Sequence, residues 1–325
     1  MKLWRECLAL CGVLASCSDN GTGPSGSGQG HIVYSLPNGD QFRIAARAGA
    51  TPQNVSAVLD ALSPGSDEWI STSWDGGWLL LSTERFDTDC TGFACLAIVN
   101  GDLSSGEAIQ IGGNVVHATG YSAIASGGNL VVFEDVGVGT NTRDLWATTR
   151  VGGNWSTAVA LTGASPFLFN SHPSLAADGS KIVFDCGNEP FGAQGTSICE
   201  VDLTGSGFRI AVRPSDSPPG LTDIAALHHA AYSPDGGIVF EADWAGEQIW
   251  KLLPGMTTPI LLSSSITNDN SPCVLPDGRI ASLWLSRAGN PQGLHEIKVM
   301  TPSGGEYLMA LTLVDVADIG ISCGN

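Results

Sequence analysis

Five stretches of the chain share one pattern: a small or polar strand start, a tight Asp-Gly or Gly-Gly turn, then an apolar strand rich in β-branched residues. They occupy residues 69–81, 121–133, 172–184, 229–240 and 271–283. A unit recurring every roughly forty to fifty residues, with about four short strands in each copy, predicts a β-propeller. The turn glycines Gly76, Gly127, Gly179, Gly236 and Gly278 are separated by 51, 52, 57 and 42 residues, so insertions between copies fall in loops. Asp-Gly supplies the positive-φ residue that a tight hairpin needs, and the proline of Ser233-Pro-Asp-Gly236 fixes φ at the first central position.

Each copy is expected to continue into a third strand, over 94–99, 144–149, 198–203, 248–253 and 295–300, and then an outer edge strand such as 208–212. The two ends of the repeat array explain each other. Residues 30–44 align by pattern with 296–309, which supplies the outer part of a unit without its inner strand, and 316–323 resemble an inner strand with no partner after it. Joining them predicts an all-β, six-bladed β-propeller of four-stranded antiparallel blades, closed by a composite blade from both termini. A β-sandwich of repetitive hairpins is the competing architecture; the shared turn-and-strand pattern counts against it.

The turns also carry a family resemblance. Tyr232-Ser-Pro-Asp-Gly236 followed by Ile249-Trp250, Ser271-Pro272 with Leu275-Pro-Asp-Gly278, and His172-Pro173 with Asp178-Gly179 resemble the repeat motif of TolB-like propellers. The resemblance runs from about residue 30 to the end. Ser126-Gly-Gly128 lacks the aspartate and Trp74-Asp-Gly76 lacks the proline, which points to the wider superfamily, including the propellers of prolyl oligopeptidases and oligogalacturonate lyases, rather than to TolB itself.

The first residues are read as a targeting segment. Met1-Lys-Leu-Trp-Arg5 is short and basic, residues 8–15 are apolar, and Leu14-Ala-Ser-Cys17 resembles a bacterial lipobox, with an ordinary signal peptide as the alternative. The apolar run is far below the roughly 18–20 residues of a membrane-crossing helix. The expected organisation is a lipoprotein signal peptide at 1–16, a lipidated Cys17 opening a flexible Gly/Ser tether over 17–30, and the propeller over 31–325. Ser18 after the lipidated cysteine suggests a bacterial outer-membrane lipoprotein facing the periplasm or the surface.

Export agrees with cysteine usage. Of the nine cysteines, Cys7 and Cys11 fall in the signal and Cys17 takes lipid, leaving Cys90, Cys95, Cys186, Cys199, Cys273 and Cys323. The register of the repeats favours the pairs Cys90–Cys95, Cys186–Cys199 and Cys273–Cys323. No Cys-x-x-Cys occurs in the mature chain and the histidines are scattered, so neither metal nor cofactor is expected.

Charge narrows the partners. The formal net charge is −18, and after removal of 1–16 there remain 12 basic and 31 acidic residues. Nucleic acid, which demands clustered Lys and Arg, is not expected as a partner. No Gly-x-Ser-x-Gly elbow, His-Glu-x-x-His, Walker loop or dinucleotide fingerprint is present, and no catalytic residue is assigned.

What remains is the axial mouth of the ring, where loops entering the inner strands converge. Trp69, Tyr121, Asn170, His172, His228, His229, Asn268, Asp269, Asn270 and Asp318 are the candidate contacts there. The alternative role for each is to cap a strand end and satisfy buried backbone groups. Strand alternation is expected to send the rings of His228 and His229 to opposite faces. The leading expectation is a non-enzymatic envelope lipoprotein that engages a protein, peptide or glycan. The second is a carbohydrate-active enzyme like the oligogalacturonate lyases, using channel histidines and a divalent metal; the scarcity of Lys and Arg speaks against an acidic oligosaccharide substrate.

Overall fold

The computed structural model describes residues 30–325 except 93, 118–119, 137–141, 190–193, 223, 264–268, 286–293, 306, 315 and 317–319. Its hairpins form where turn chemistry demands them. In the turn after Leu227–Tyr232, Gly236 takes φ 81° and donates its N–H to the Ser233 carbonyl at 2.8 Å. Asp235 Oδ1 accepts from Ser233 Oγ and from the Gly237 N–H at 3.0 Å, and its other oxygen meets Lys251 Nζ at 2.7 Å. An aspartate that satisfies the turn's own donors makes the reversal a local property of the sequence.

The described residues form an all-β propeller architecture. Four sheets have four strands each. One runs Asp67–Thr72, Trp78–Thr83, Cys95–Asn100, Gly106–Ala108; another Leu227–Tyr232, Ile238–Ala242, Gln248–Leu252, Ile260–Leu261. A third runs Asp269–Val274, Ile280–Leu285, His295–Met300, Tyr307–Val314. The fourth is composite: Ile321–Gly324 pairs antiparallel with His31–Ser35, placing Ile32 opposite Cys323 and Val33 opposite Ser322, and Gln41–Ala45 and Gln53–Asn54 complete it.

The remaining strands depart from the expectation of separate four-stranded blades, because they join in one hydrogen-bonded network of eleven. Within it, Ser122–Ile124, Leu130–Val136, Arg143–Val151 and Val159–Ala160 pair antiparallel, as do Phe169–Leu175, Lys181–Gly187, Ser197–Asp202 and Arg209–Val212. A single parallel pairing, Arg143 with Phe169, ties the two groups together. The network also reaches the hairpin of Gln110–Ile111 and Asn114–Val115, through Asn154–Trp155 and the pairing of Trp155 with Ile111. The long connection between Ala108 and Ser122 has enough chain to fold this hairpin against its neighbour. The merger is thus made by loop excursions and isolated pairings.

The core lies between sheets. Phe184 and Phe240, at the same position of successive repeats, are fully buried, each contributing about 1.5–3 kcal/mol of apolar burial. Val183, Ile198, Leu227 and Phe240 share one cluster; Leu80, Ile98, Val131 and Phe133 share another. The composite sheet packs on both sides. Ile32, Tyr34 and Ile44 meet Leu275, Ala281 and Ile297, while Val33, with Val55 and Leu59 of the short helix Val55–Leu59 that follows Gln53–Asn54, meets Ile70, Leu79 and Val99. The C-terminal strand is further tied in where the Asn325 N–H donates to the Trp74 carbonyl at 3.1 Å and the Thr72 N–H to Ser322 Oγ at 3.2 Å.

All three disulfides join the pairs that the register favours: Cys90–Cys95, Cys186–Cys199 and Cys273–Cys323. The last links the inner strand of the 269–314 sheet to the C-terminal strand of the composite sheet, so it crosses between neighbouring sheets.

Candidate functional site: the axial channel and its histidine mouth

Residues of the inner strands line one channel-like cavity of about 140 Å³. Trp69, Tyr121, His172 and His229 line one end of it, each at the first position of its repeat. The last three rings lie close together. Tyr121 and His172 have centroids 3.6 Å apart, and His172 and His229 meet edge to face at 4.6 Å. Ser271 and Gly320 hold the same repeat position, and a Cβ built on Gly320 would lie 3.1 Å from that of Ser271 and 3.8 Å from the His229 ring.

A backbone device repeated three times sets this mouth. His172, His229 and Ser271 adopt φ of 51°, 52° and 47°, the left-handed region that non-glycine residues seldom occupy. Each sits at a shift in register between the inner strand and the next strand of its sheet. The N–H that such a bulge frees from the ladder is satisfied by a carboxylate from the preceding repeat. His172 donates to Glu134 Oε1 at 2.9 Å, His229 to Asp185 Oδ2 at 3.2 Å, and Ser271 to Glu241 Oε2 at 2.9 Å. Glu134, Asp185 and Glu241 follow a buried Phe at matching places: Phe133, Phe184 and Phe240. The bond offsets a left-handed conformation that costs on the order of 1–3 kcal/mol, and it joins consecutive repeats at the rim.

The imidazoles extend the network. Asp185 Oδ2 lies 3.0 Å from His172 Nδ1 and 3.5 Å from His228 Nδ1, and Glu241 Oε2 lies 3.2 Å from His229 Nδ1. Burial pushes His172 down to about 3 against the pull of Asp185, so it is neutral and donates its Nδ1–H. Burial opposes ionisation of Asp185, but its imidazole partners outweigh it and hold the carboxyl well below the usual range. His228 is raised because its bond to Asp185 and the charges of Asp185, Glu241 and Asp243 overcome desolvation. Glu241 is lowered, its His229 and Ser271 partners outweighing burial. Glu134 is pushed up to about 7 by burial, which the His172 N–H and Arg143, 2.8 Å away, only partly offset. The mouth is therefore a set of neutral and charge-compensated groups backed by carboxylates.

The other candidate residues fall elsewhere. Asn170 ties the entry loop, accepting from Ser165 Oγ at 2.8 Å and donating to the carbonyls of Arg143 and Phe167 at 3.2 Å. His228 lines a small pocket with Asp185, Ser171 and Thr196 rather than the channel. Asp269 is fully buried at a strand start, its N–H bonded to the Glu247 carbonyl at 3.1 Å, and neither it nor Asn270 lines the channel. Asn268, Asp318 and Cys17 lie outside the described residues. The His228 and His229 rings enter different cavities, the small pocket and the channel, yet stay near each other. The left-handed φ at His229 interrupts strand alternation, and the two rings stand 6.2 Å apart on adjoining carboxylates. Among the described residues, no group of three or more His, Cys, Asp or Glu is arranged to hold a metal ion.

No family model matches the chain, and no curated protein matches it by sequence. Solved structures do. TolB from Acinetobacter baumannii superposes with a TM-score of 0.60 at 14% identity, over 91% of this chain and 67% of that one. A putative TolB from Agrobacterium tumefaciens gives 0.58 at 14%, over 88% and 90%. A prolyl endopeptidase structure gives 0.51 at 13%, over 86% of this chain and 42% of the endopeptidase. At these identities the likeness establishes the fold, and the chain has the TolB-like β-propeller fold.

Proposed function

We propose that this chain is a non-enzymatic binding scaffold of the bacterial cell envelope. In this reading, six four-stranded blades close into a ring whose axial channel engages a protein, peptide or glycan. The packing of the composite sheet against both of its neighbours supports closure, and the split of the eleven-strand network into two antiparallel groups of four supports the count of six. Lipidation of Cys17 and the tether over 17–30 would hold the ring at the outer membrane.

One observation carries the binding role: inner strands of successive repeats converge on one cavity, with Trp69, Tyr121, His172 and His229 gathered at its end. Rigid aromatic groups around a concavity are suited to recognition, and the left-handed bulges that hold His172 and His229 are costly features with no need to exist in a plain structural ring. The lyase-like alternative is disfavoured because, among the described residues, neither Lys nor Arg lines the cavity, where an acidic oligosaccharide would require them.

The test is affinity capture from envelope extract and on a glycan array, using the mature protein and a Tyr121→Ala, His229→Ala variant with the parent's melting temperature. Capture by the parent and its loss in the variant is the expected result. Equal capture by both would place recognition away from the channel and overturn the proposal.

A further inference from the structure

We infer that the channel takes an uncharged, hydroxyl-rich ring, such as a neutral pyranose at the end of a glycan. This rests on the reading of the channel as the binding site and commits it to one ligand chemistry.

The first ground is charge. The chain carries a net charge of −18, yet among the described residues no Asp, Glu, Lys or Arg lines the cavity. The carboxylates of Glu134, Asp185 and Glu241 stand behind the rim, where backbone N–H groups and Arg143 or imidazoles engage Glu134, Glu241 and Asp185 Oδ2, while Asp185 Oδ1 has no hydrogen-bond partner among the described residues. An ionic ligand would lose its hydration without gaining a counter-charge, which is costly. Charged chain ends and uronates are therefore poor occupants.

The second ground is a set of polar atoms left unpaired. Ser71 is 8% exposed and Ser122 is 6% exposed; both line the cavity, and neither Oγ has a hydrogen-bond partner among the described residues. His229 Nε2 is buried and equally without one among them. Buried polar atoms are nearly always paired in folded proteins, so three unpaired ones on residues that line a single cavity point to an occupant that supplies donors and acceptors once these side chains turn toward it. A serine hydroxyl both donates and accepts, which matches the hydroxyl of a sugar.

The third ground is shape. Trp69, Tyr121 and His172 line the cavity together with those serines, and aromatic rings of this kind suit the C–H face of a sugar ring. The cavity of about 140 Å³ is smaller than the roughly 300–1,000 Å³ of sites for drug-sized ligands. It fits one ring better than an extended peptide segment.

The experiment titrates the full chain, by saturation-transfer NMR and calorimetry, with the methyl glycosides of glucose, galactose, mannose and N-acetylglucosamine. Galacturonic acid and glycyl-glycyl-glycine serve as charged comparators. At least one neutral glycoside should bind, at least about ten-fold more tightly than either comparator. Ser71→Ala and Ser122→Ala, separately, should each weaken it about five-fold, the loss of one net hydrogen bond. Both variants need only match the parent's melting temperature to be informative, and two independent serines guard against one that misfolds. Absence of binding by every neutral glycoside at about 10 mM, a concentration that detects even millimolar affinity, would overturn the inference. So would equal affinity for the uronate, or unchanged affinity in both variants. If a macromolecule is captured through the channel while no glycoside binds, the scaffold reading stands and the sugar assignment falls.

Discussion

Removing the disulfide that crosses between sheets should cost more stability than removing either of the others. Cys273 and Cys323 are 50 residues apart in sequence, against 13 for Cys186–Cys199 and 5 for Cys90–Cys95. In the chain-entropy treatment these loops correspond to about 4, 3 and 2 kcal/mol respectively. Only the first staples the C-terminal strand, and both of its cysteines pack in the core cluster of Ile32, Leu275 and Ala281. For a domain of this size, 1 kcal/mol moves the midpoint by about 2–4 °C, so the Cys273→Ala, Cys323→Ala protein should melt roughly 8–16 °C below the parent. Calorimetry of the three double variants under non-reducing conditions gives the ranking. A melt within about 2 °C of the parent, or a larger loss for the Cys90/Cys95 pair, would refute the idea that this bond holds the closing strand.

Two further outcomes are expected. Because native His172 is lowered to about 3, the unfolded chain binds a proton that the native state refuses as pH falls below 6.5, so the His172 contribution to stability falls on acidification, by about 2 kcal/mol between pH 6.5 and 5. Glu134, raised to about 7, and His228, also raised, act with the opposite sign, so the comparison is between parent and His172→Gln, which should lose less stability on acidification; a variant with the parent's pH slope would remove His172 from the linkage. Cys17→Ser should abolish lipid attachment and membrane association, and palmitate incorporation at the parent's level would sink the lipobox assignment.

Much of the fold is legible in the sequence because its turns are local. Asp235 and Gly236 satisfy one another's geometry within five residues, so the hairpin can be read without knowing what packs beside it. The third strands follow, and 295–300 coincides with the observed His295–Met300. The site is less legible. Glu134, Asp185 and Glu241 read as ordinary strand-end residues, because their partners are backbone N–H groups one repeat away. The left-handed bulges at His172, His229 and Ser271 break the alternation on which face assignments rest. A signal was present: Phe followed by Glu or Asp recurs in three repeats at one place, and a carboxylate repeated next to a core Phe asks for a partner. The eleven-strand merger has no such signal, since isolated pairings between loop hairpins leave no periodicity in the chain.

The central claim, that the two ends of the chain build one sheet and close the ring around the channel, is tested most directly by native-state hydrogen exchange of the C-terminal strand. The amides of Ile321–Gly324 that bond to His31–Ser35 should exchange as slowly as the amides of Ile238–Ala242 at the core of another sheet, through opening of the whole domain. Exchange of that strand at the rate of an unstructured peptide, with the other sheets still protected, would contradict it.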